Sequence, residues 1–138
     1  MSTEKLAKVL IIDDEHSSIE VMTTMLESTM TVYVAETAEE GYNLLQLHDI
    51  DIILLDVDLP DLSGFDLCKK IKSEQSFADI PVIFISGYKD LIFEIQAFEA
   101  GGIDYLTKPI SPIKMLIRMS VALKIKLPIP NAKSIRLG

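Results

Sequence analysis

The sequence contains a single cysteine, no tryptophan and no apolar run long enough to cross a membrane. Cys68 cannot form an internal disulfide, which fits a reducing compartment, and we expect it to be a small buried side chain rather than a reactive thiol. No stretch of about 18 apolar residues occurs, and no charged leader followed by an apolar segment opens the chain. These absences predict a soluble, cytoplasmic protein that does not enter a membrane.

Basic residues are scarce as well. The 138 residues include 13 Lys and Arg against 21 Asp and Glu, which gives a net charge of −8. Because binding to nucleic-acid phosphates needs a basic surface, we expect no direct nucleic-acid partner. The length suits one domain with a substantial core.

Short apolar runs alternate along the chain with longer segments of helical periodicity. This alternation is typical of βαβ units and predicts an α/β domain, a doubly wound sheet of five parallel strands with five helices. The most apolar run, IDIILLD, is expected at the centre of the sheet, and the less apolar TVYVAE near an edge. Residues 127–138 contain two prolines and no periodic apolar face. The domain is therefore expected to span residues 1–126, with a linker or tail at 127–138.

The second expected helix has a recognisable start. Thr37 precedes Glu40 by three residues, as in a capping box, in which the threonine side chain accepts a hydrogen bond from the first turn. The apolar residues that follow are expected to form the buried side of this helix: Tyr42, Leu44, Leu45 and Leu47.

Charged residues follow three of the apolar runs. Asp13 and Asp14 come after VLII, Asp56 after IDIILL and Lys108 after GGIDYLT. In an open α/β sheet, ligands bind beyond the carboxyl ends of the strands, so these side chains are expected to converge. Three carboxylates repel one another, and hard oxygen ligands suit Mg²⁺ or Mn²⁺, which predicts a divalent cation there. An acidic pair alone is equally typical of a helix N-cap.

The order and spacing of these motifs resemble the receiver domain of two-component response regulators, over about residues 8–126. The resemblance is carried by the acidic pair, the stretch DVDLPDLSG, the strand end VIFIS and the stretch DYLTKP. It implies a flavodoxin-like fold with strand order 2-1-3-4-5. It also implies that Asp56 accepts a phosphoryl group from a phosphohistidine, with a sensor histidine kinase or histidine phosphotransfer protein as partner. Such a domain is not an enzyme but a signalling domain that assists its own phosphorylation and dephosphorylation.

The resemblance further implies roles around the metal. Asp14 and Asp56 would ligate Mg²⁺ directly, Asp13 would act mainly through water, and Asp58 would contribute its backbone carbonyl. Asp58 and Tyr88 occupy positions that flank the path of the water that attacks the phosphoryl group. We therefore expect these two residues to tune the lifetime of the phosphorylated state.

Other implied roles concern the phosphoryl group and the conformational response. Lys108 would pair with Asp56 at rest and with a phosphoryl oxygen afterwards, and Ser86 would offer its hydroxyl to another phosphoryl oxygen. Pro109 would form a cis peptide bond that aims the lysine. Tyr105 would move inward as Ser86 moves, and so reshape the face of the fourth helix, fifth strand and fifth helix, where an output domain or partner would bind.

Two other functions are open at this stage. The Asp56-Val57-Asp58 triplet also resembles the nucleophile motif of haloacid-dehalogenase-type phosphatases, which are metal-dependent hydrolases, although the chain is small and lacks a cap domain. The third interpretation is a receiver-like binding module that works without phosphorylation. Turnover of a small phosphate ester would separate the hydrolase from both receivers.

The resemblance leaves a homodimer open. Asp104 and Arg118 fit one of the charge pairs through which DNA-binding receivers dimerise, whereas Lys114 occupies a position that is usually acidic. His16 and His48 have no His or Cys at ligand spacing, so we expect both to be solvated surface residues.

Overall fold

The computed structural model describes residues 6–128, and its five strands, numbered along the chain, form one parallel sheet in the order 2-1-3-4-5. This confirms the expected parallel sheet, its strand order, the central position of IDIILLD and the edge position of TVYVAE. The strands are β1 (Lys8–Ile12), β2 (Thr31–Ala35), β3 (Ile52–Asp56), β4 (Val82–Ser86) and β5 (Asp104–Thr107).

Helices cover both faces of the sheet, as expected for a doubly wound fold. One buried cluster joins the sheet to the second, third and fourth helices, and another joins it to the first and fifth. The helices are α1 (His16–Leu26), α2 (Ala38–Leu47), α3 (Gly64–Ser73), α4 (Leu91–Glu99) and α5 (Pro112–Leu123).

The two clusters explain why the central strands are apolar throughout. Successive side chains of a strand point to opposite faces, and helices cover both faces of this sheet. In β1, for example, Val9 and Ile11 join one cluster while Leu10 and Ile12 join the other, and all four are fully buried. A polar residue within such a strand would lose its water contacts, so charge is found only where the strands end.

Helix α2 starts as predicted but buries fewer residues than predicted. The Thr37 hydroxyl oxygen accepts a hydrogen bond from the Glu40 N–H at 3.0 Å. Leu45 is buried, whereas Leu47 is 74% exposed, so the expectation for Leu47 was wrong. Two residues correspond to about 200° of rotation around a helix, which turns Leu47 away from the sheet.

The chain after α5 packs back onto that helix. Leu127, the first residue of the expected tail, is buried, and its N–H donates to the Ser120 hydroxyl at 3.3 Å. The remainder of that expectation, from residue 129 onward, lies outside the described residues. Among residues 6–128, no helix is long and apolar enough to span a membrane.

Candidate functional site

Three carboxylates meet at the carboxyl ends of β1 and β3. These strands are adjacent and parallel, so the residues that follow β1 lie beside the last residue of β3. One oxygen of each of Asp13, Asp14 and Asp56 falls within a group whose members all lie within 4.8 Å of one another. Asp13 and Asp56 are buried and Asp14 is exposed. The cluster thus has a closed inner side and an open outer side.

A single ammonium group neutralises part of this charge. The Lys108 Nζ lies 3.1 Å from Asp13 Oδ2 and 3.2 Å from Asp56 Oδ2. The Lys108 N–H also donates to the Ser86 carbonyl at 2.7 Å, which fixes the start of this side chain at the end of β4. Burial opposes the charged form of Lys108, but the negative charges of Asp56 and Asp13 outweigh it and raise the pKa above its usual value.

Asp56 is the most perturbed carboxyl group of the cluster. Burial is the largest cause, followed by the hydrogen bond with Asp13 and its charge, and together they raise the pKa of Asp56 to about 7. Lys108 and the Asp58 N–H, which donates to Asp56 Oδ1 at 3.3 Å, offset this only in part. Ionised Asp56 is therefore costly unless more positive charge enters the site.

The oxygen atoms present fit a hard divalent cation. Asp13 Oδ2 is buried and accepts no hydrogen bond from any described residue, although the Lys108 ammonium lies beside it. Exposed Asp14 leaves an open side on which water ligands can remain. An all-oxygen site with room for water suits Mg²⁺ or Mn²⁺, as the sequence predicted.

Ser86, Tyr88 and Tyr105 are linked at the neighbouring end of β4. Ser86 is buried, and its hydroxyl oxygen accepts a hydrogen bond from the Tyr88 N–H at 3.0 Å. The hydroxyl of half-buried Tyr105 donates to the Tyr88 carbonyl at 2.7 Å. Because β4 pairs with β3 and β5, this chain of contacts runs from beside Asp56 to the edge of the sheet.

The Tyr88 side chain lies between the site and α4. Its ring stacks on Phe93 with centroids 4.1 Å apart and planes 6° from parallel. The nearby Asp58 carboxylate raises the pKa of the Tyr88 hydroxyl, which places the two expected lifetime-tuning residues side by side. Tyr88 is 39% exposed, so its side chain remains accessible to water.

The loop between β3 and α3 is held close to Asp56. The Gly64 N–H donates to the Val57 carbonyl at 2.7 Å, and a Cβ atom at Gly64 would overlap the Asp56 carbonyl oxygen. Only glycine permits this close approach. At the other side of the site, the Lys108–Pro109 peptide bond is cis, as the resemblance implied.

Sequence reasoning missed Glu15. Its Oε1 lies 3.2 Å from the Lys108 Nζ, so a third carboxylate shares this ammonium. Hydrogen bonds from Ser18 and Lys108, and then the lysine charge, lower the pKa of Glu15. The run Asp13-Asp14-Glu15 was the available signal, because the residue after an acidic pair at a strand end also lies at the site.

The remaining candidates lie outside the cluster. His16 is exposed and its Nε2 lies 2.8 Å from Glu36 Oε1, while the His48 ring stacks on Tyr33. Asp104 and Arg118 form an ion pair at 3.3 Å within one chain. Cys68 is buried, as expected, and burial raises its pKa to about 11.

This geometry can be compared with known proteins. A family model described as the response regulator receiver domain matches residues 9–120. The chain belongs to this family. The receiver interpretation of the sequence is therefore confirmed, and the family assignment disfavours the alternative of a haloacid-dehalogenase-type phosphatase.

Individual relatives agree with this assignment. The receiver is 31% identical over 118 residues to the cell cycle transcriptional regulator CtrA of Caulobacter vibrioides, covering 85% of this chain and 50% of CtrA. It is 36% identical over 132 residues to the response regulator PleD of the same species, covering 92% of this chain and 28% of PleD. A CheY-like receiver domain structure from Methanospirillum hungatei JF-1 superposes with a TM-score of 0.80 at 27% identity, covering 87% of this chain and 95% of that one. The chain thus spans half or less of the length of these two curated relatives.

Proposed function

We propose that this receiver accepts a phosphoryl group on Asp56 from a phosphohistidine of a sensor histidine kinase or a histidine phosphotransfer protein. The observation that carries the proposal is the grouping of Asp56 with Asp13 and Asp14 within 4.8 Å, with the Lys108 ammonium 3.2 Å from Asp56 Oδ2. A nucleophilic carboxylate, oxygen ligands for a cation and a fixed ammonium are the parts that phosphoryl transfer to a side chain requires.

The transfer exchanges one bond to phosphorus for another. A carboxylate oxygen of Asp56 forms the new P–O bond as the P–N bond to the donor imidazole breaks, and the departing nitrogen keeps the electron pair. Mg²⁺, when bound, supplies the positive charge that offsets the negative oxygens of the transferring group. Asp13, Asp14, Asp56 and the backbone carbonyl of Asp58 would hold it. Lys108 pairs with Asp56 before transfer and with a phosphoryl oxygen afterwards.

The hydrogen bonds of Ser86 suggest how the signal leaves the site. Its hydroxyl oxygen accepts from the Tyr88 N–H, which leaves its own proton free to donate to a phosphoryl oxygen. Movement of Ser86 toward that oxygen would disturb Tyr88, and with it the Tyr105 hydroxyl bound to the Tyr88 carbonyl. Phosphorylation would therefore bias a two-state equilibrium on the face formed by α4, β5 and α5, where an output domain or partner binds.

The proposed role is signalling rather than turnover. The domain would assist its own phosphorylation and dephosphorylation, and residues 127–138 would be a linker or tail of the receiver at 1–126. A reducing compartment such as the cytoplasm suits buried Cys68, the one cysteine of the sequence. Asp104 and Arg118 already pair within one chain, so a homodimer that uses them would have to exchange this contact.

The test is phosphorylation by a small donor. The protein is incubated with acetyl phosphate and Mg²⁺, and the modified residue is mapped by mass spectrometry after reductive trapping. We expect one modification, at Asp56, which Asp56→Asn abolishes and Asp49→Asn leaves unchanged. Modification that survives in Asp56→Asn overturns the assignment of the acceptor. Mg²⁺ binding without modification would favour the binding module, and sustained turnover of a phosphate ester would favour the hydrolase.

A further inference from the structure

Asp61 ties the loop between β3 and α3 to a different element. Its Oδ1 accepts the Ala38 N–H at 2.8 Å and its Oδ2 accepts the Glu39 N–H at 3.0 Å, both in the first turn of α2. The first N–H groups of a helix have no partner within the helix. Here the Thr37 hydroxyl accepts a hydrogen bond from the Glu40 N–H. The N–H groups of Ala38 and Glu39 donate instead to the Asp61 carboxylate, which lies more than 20 residues further along the chain.

The α2 end of this tie is fixed relative to the carboxylate cluster. Gly41 packs so closely on β1 that a Cβ atom there would lie 2.5 Å from Ile12 Cδ1. Ile12 directly precedes Asp13, and both are fully buried. The first turn of α2 is therefore anchored to the strand that delivers Asp13 and Asp14 to the site.

The loop end of the tie is less constrained. Val57 and Gly64 are held near Asp56 by backbone hydrogen bonds, but Asp58 between them is exposed. Within the described chain, residues 58–63 are joined to the flanking elements by the Asp58 N–H, which donates to Asp56 Oδ1 at 3.3 Å, and by the cap that Ser63 gives α3. The two hydrogen bonds to Asp61 are the ones that join this loop to an element other than β3 and α3, so they constrain the position of the loop over the carboxylates from outside.

We propose that Asp61 is a positioning residue for the metal site: by binding the first turn of α2, it holds the β3–α3 loop where the backbone carbonyl of Asp58 can serve as a ligand. This rests on the proposed function, in which that carbonyl helps to hold Mg²⁺. Removing Asp61 would leave the carboxylates in place but let the loop sample positions in which the carbonyl is turned away. Part of the binding free energy would then be spent on ordering the loop.

Thr37 provides a matched control. Thr37→Ala removes an acceptor from the same helix end without touching the loop, and the loss of either cap is expected to destabilise the folded protein by a similar amount. We would measure Mg²⁺ affinity by calorimetry, Mg²⁺-dependent phosphorylation by acetyl phosphate, and urea unfolding in EDTA, for both variants and wild type. Asp61→Ala should weaken Mg²⁺ binding by about tenfold, as supporting residues of metal sites do, and slow phosphorylation at limiting Mg²⁺. Thr37→Ala should leave both within about twofold of wild type.

Asp61→Asn adds a second variant that keeps one carbonyl acceptor and so should fall between wild type and Asp61→Ala. Equal Mg²⁺ affinities for Asp61→Ala and Thr37→Ala, at matched losses of stability, would overturn the positioning role while leaving Asp56 as the acceptor. A wild-type protein that binds no Mg²⁺ would instead overturn the proposed metal site, and this inference with it. The wild-type titration tests the function, and the ratio between the two variants tests Asp61.

Discussion

The receiver buries charge in one region and exposes apolar surface in the neighbouring one. At the ends of β1 and β3, Asp13 and Asp56 are at most 6% exposed and share one lysine. In α4, Ala97 is the one buried residue of the helix. Four exposed large apolar side chains of α4 form what we call the α4 face: Leu91, Ile92, Ile95 and Phe98, which are 67%, 55%, 45% and 49% exposed.

Both arrangements are unfavourable for the isolated domain. A buried carboxylate loses its hydration, and a contiguous exposed apolar patch leaves hydrophobic surface in water. The central sheet avoids both costs, because its strands are apolar and helices cover them on both sides. The two exceptions lie next to each other and are connected by Tyr88, whose backbone contacts Ser86 and whose ring contacts Phe93 in α4. A cation would relieve the first cost, and a partner would relieve the second.

Neutralising Asp56 should raise the stability of the metal-free domain. Folding raises the pKa of this carboxyl from an ordinary value of about 3.9 to about 7. Between these values the folded protein holds a proton that the unfolded chain has released, so the stability of the metal-free protein falls as pH rises through this window. The asparagine of Asp56→Asn does not ionise, so this variant does not lose stability in the same way. In EDTA it should be more stable than wild type by about 2 kcal/mol at about pH 8, and should have nearly the same stability as wild type at about pH 4.5.

The measurement is urea unfolding in EDTA at both pH values, with Asp49→Asn as an exposed control. Saturating Mg²⁺ should narrow the difference between wild type and Asp56→Asn, because the cation binds the ionised site of the wild type more tightly. An advantage of Asp56→Asn that is the same at both pH values would contradict the view that buried charge is what destabilises this region.

The sequence was sufficient for most of the fold. Runs of Val, Ile and Leu predict the strands, and the convergence of the strand ends predicts that Asp13, Asp14, Asp56 and Lys108 lie together. The pattern was insufficient where a contact depends on how distant segments approach each other. No motif indicates the role of Asp61, because its two partners lie in a helix that precedes β3.

The exposure of α4 was missed for a related reason. The segment DLIFEIQAFEAG has apolar residues on every side, and such a helix is usually buried. When every side of a helix is apolar, periodicity does not predict which side contacts the sheet. In α4 the buried residue is a small one, Ala97. Only the packing shows how much of its surface remains in water.

Removing Asp14, the exposed carboxylate of the cluster, tests whether the cluster binds a divalent cation. Asp14→Ala removes one of three carboxylates from the cluster and leaves water in its place, so less negative charge remains to hold a divalent cation. We expect Mg²⁺ affinity to fall by about tenfold or more while the metal-free protein stays folded. Calorimetric titration with Mg²⁺ measures this, and Glu20→Ala on the exposed side of α1 is the control. An unchanged titration would remove Asp14 from the set of ligands.

Substituting Tyr88, which lies between the carboxylate cluster and α4, tests whether its ring affects the lifetime of the phosphorylated state. Its ring stacks on Phe93, and we expect it to obstruct the path by which water would reach the phosphoryl group in line with the bond that breaks. Tyr88→Ala should shorten the lifetime of phosphorylated protein by about threefold, whereas Tyr88→Phe, which keeps the ring, should preserve it. Decay of phosphorylated protein in excess Mg²⁺ without kinase gives both lifetimes. Equal or slower decay in the alanine variant would show that the ring does not obstruct water.

The smallest effect on stability is expected on the α4 face, where a matched pair of isoleucines makes the comparison direct. Ile92 is 55% exposed in α4 and Ile85 is fully buried in β4. Ile92→Ala removes side-chain atoms that already contact water, so the free energy of unfolding should change by less than about 0.5 kcal/mol. Ile85→Ala leaves a cavity between packed layers and should cost about 2 to 5 kcal/mol.

The same variant should have a larger effect on association. If a partner covers the α4 face, Ile92→Ala should weaken binding of that partner while the free energy of unfolding stays nearly unchanged. Self-association at high concentration should also fall, because it would bury the same apolar surface. Urea unfolding and sedimentation measured on one preparation of each variant separate the two effects. A loss of stability in Ile92→Ala comparable to that in Ile85→Ala would place Ile92 in the core, and the contrast between buried charge and exposed apolar surface would then no longer hold.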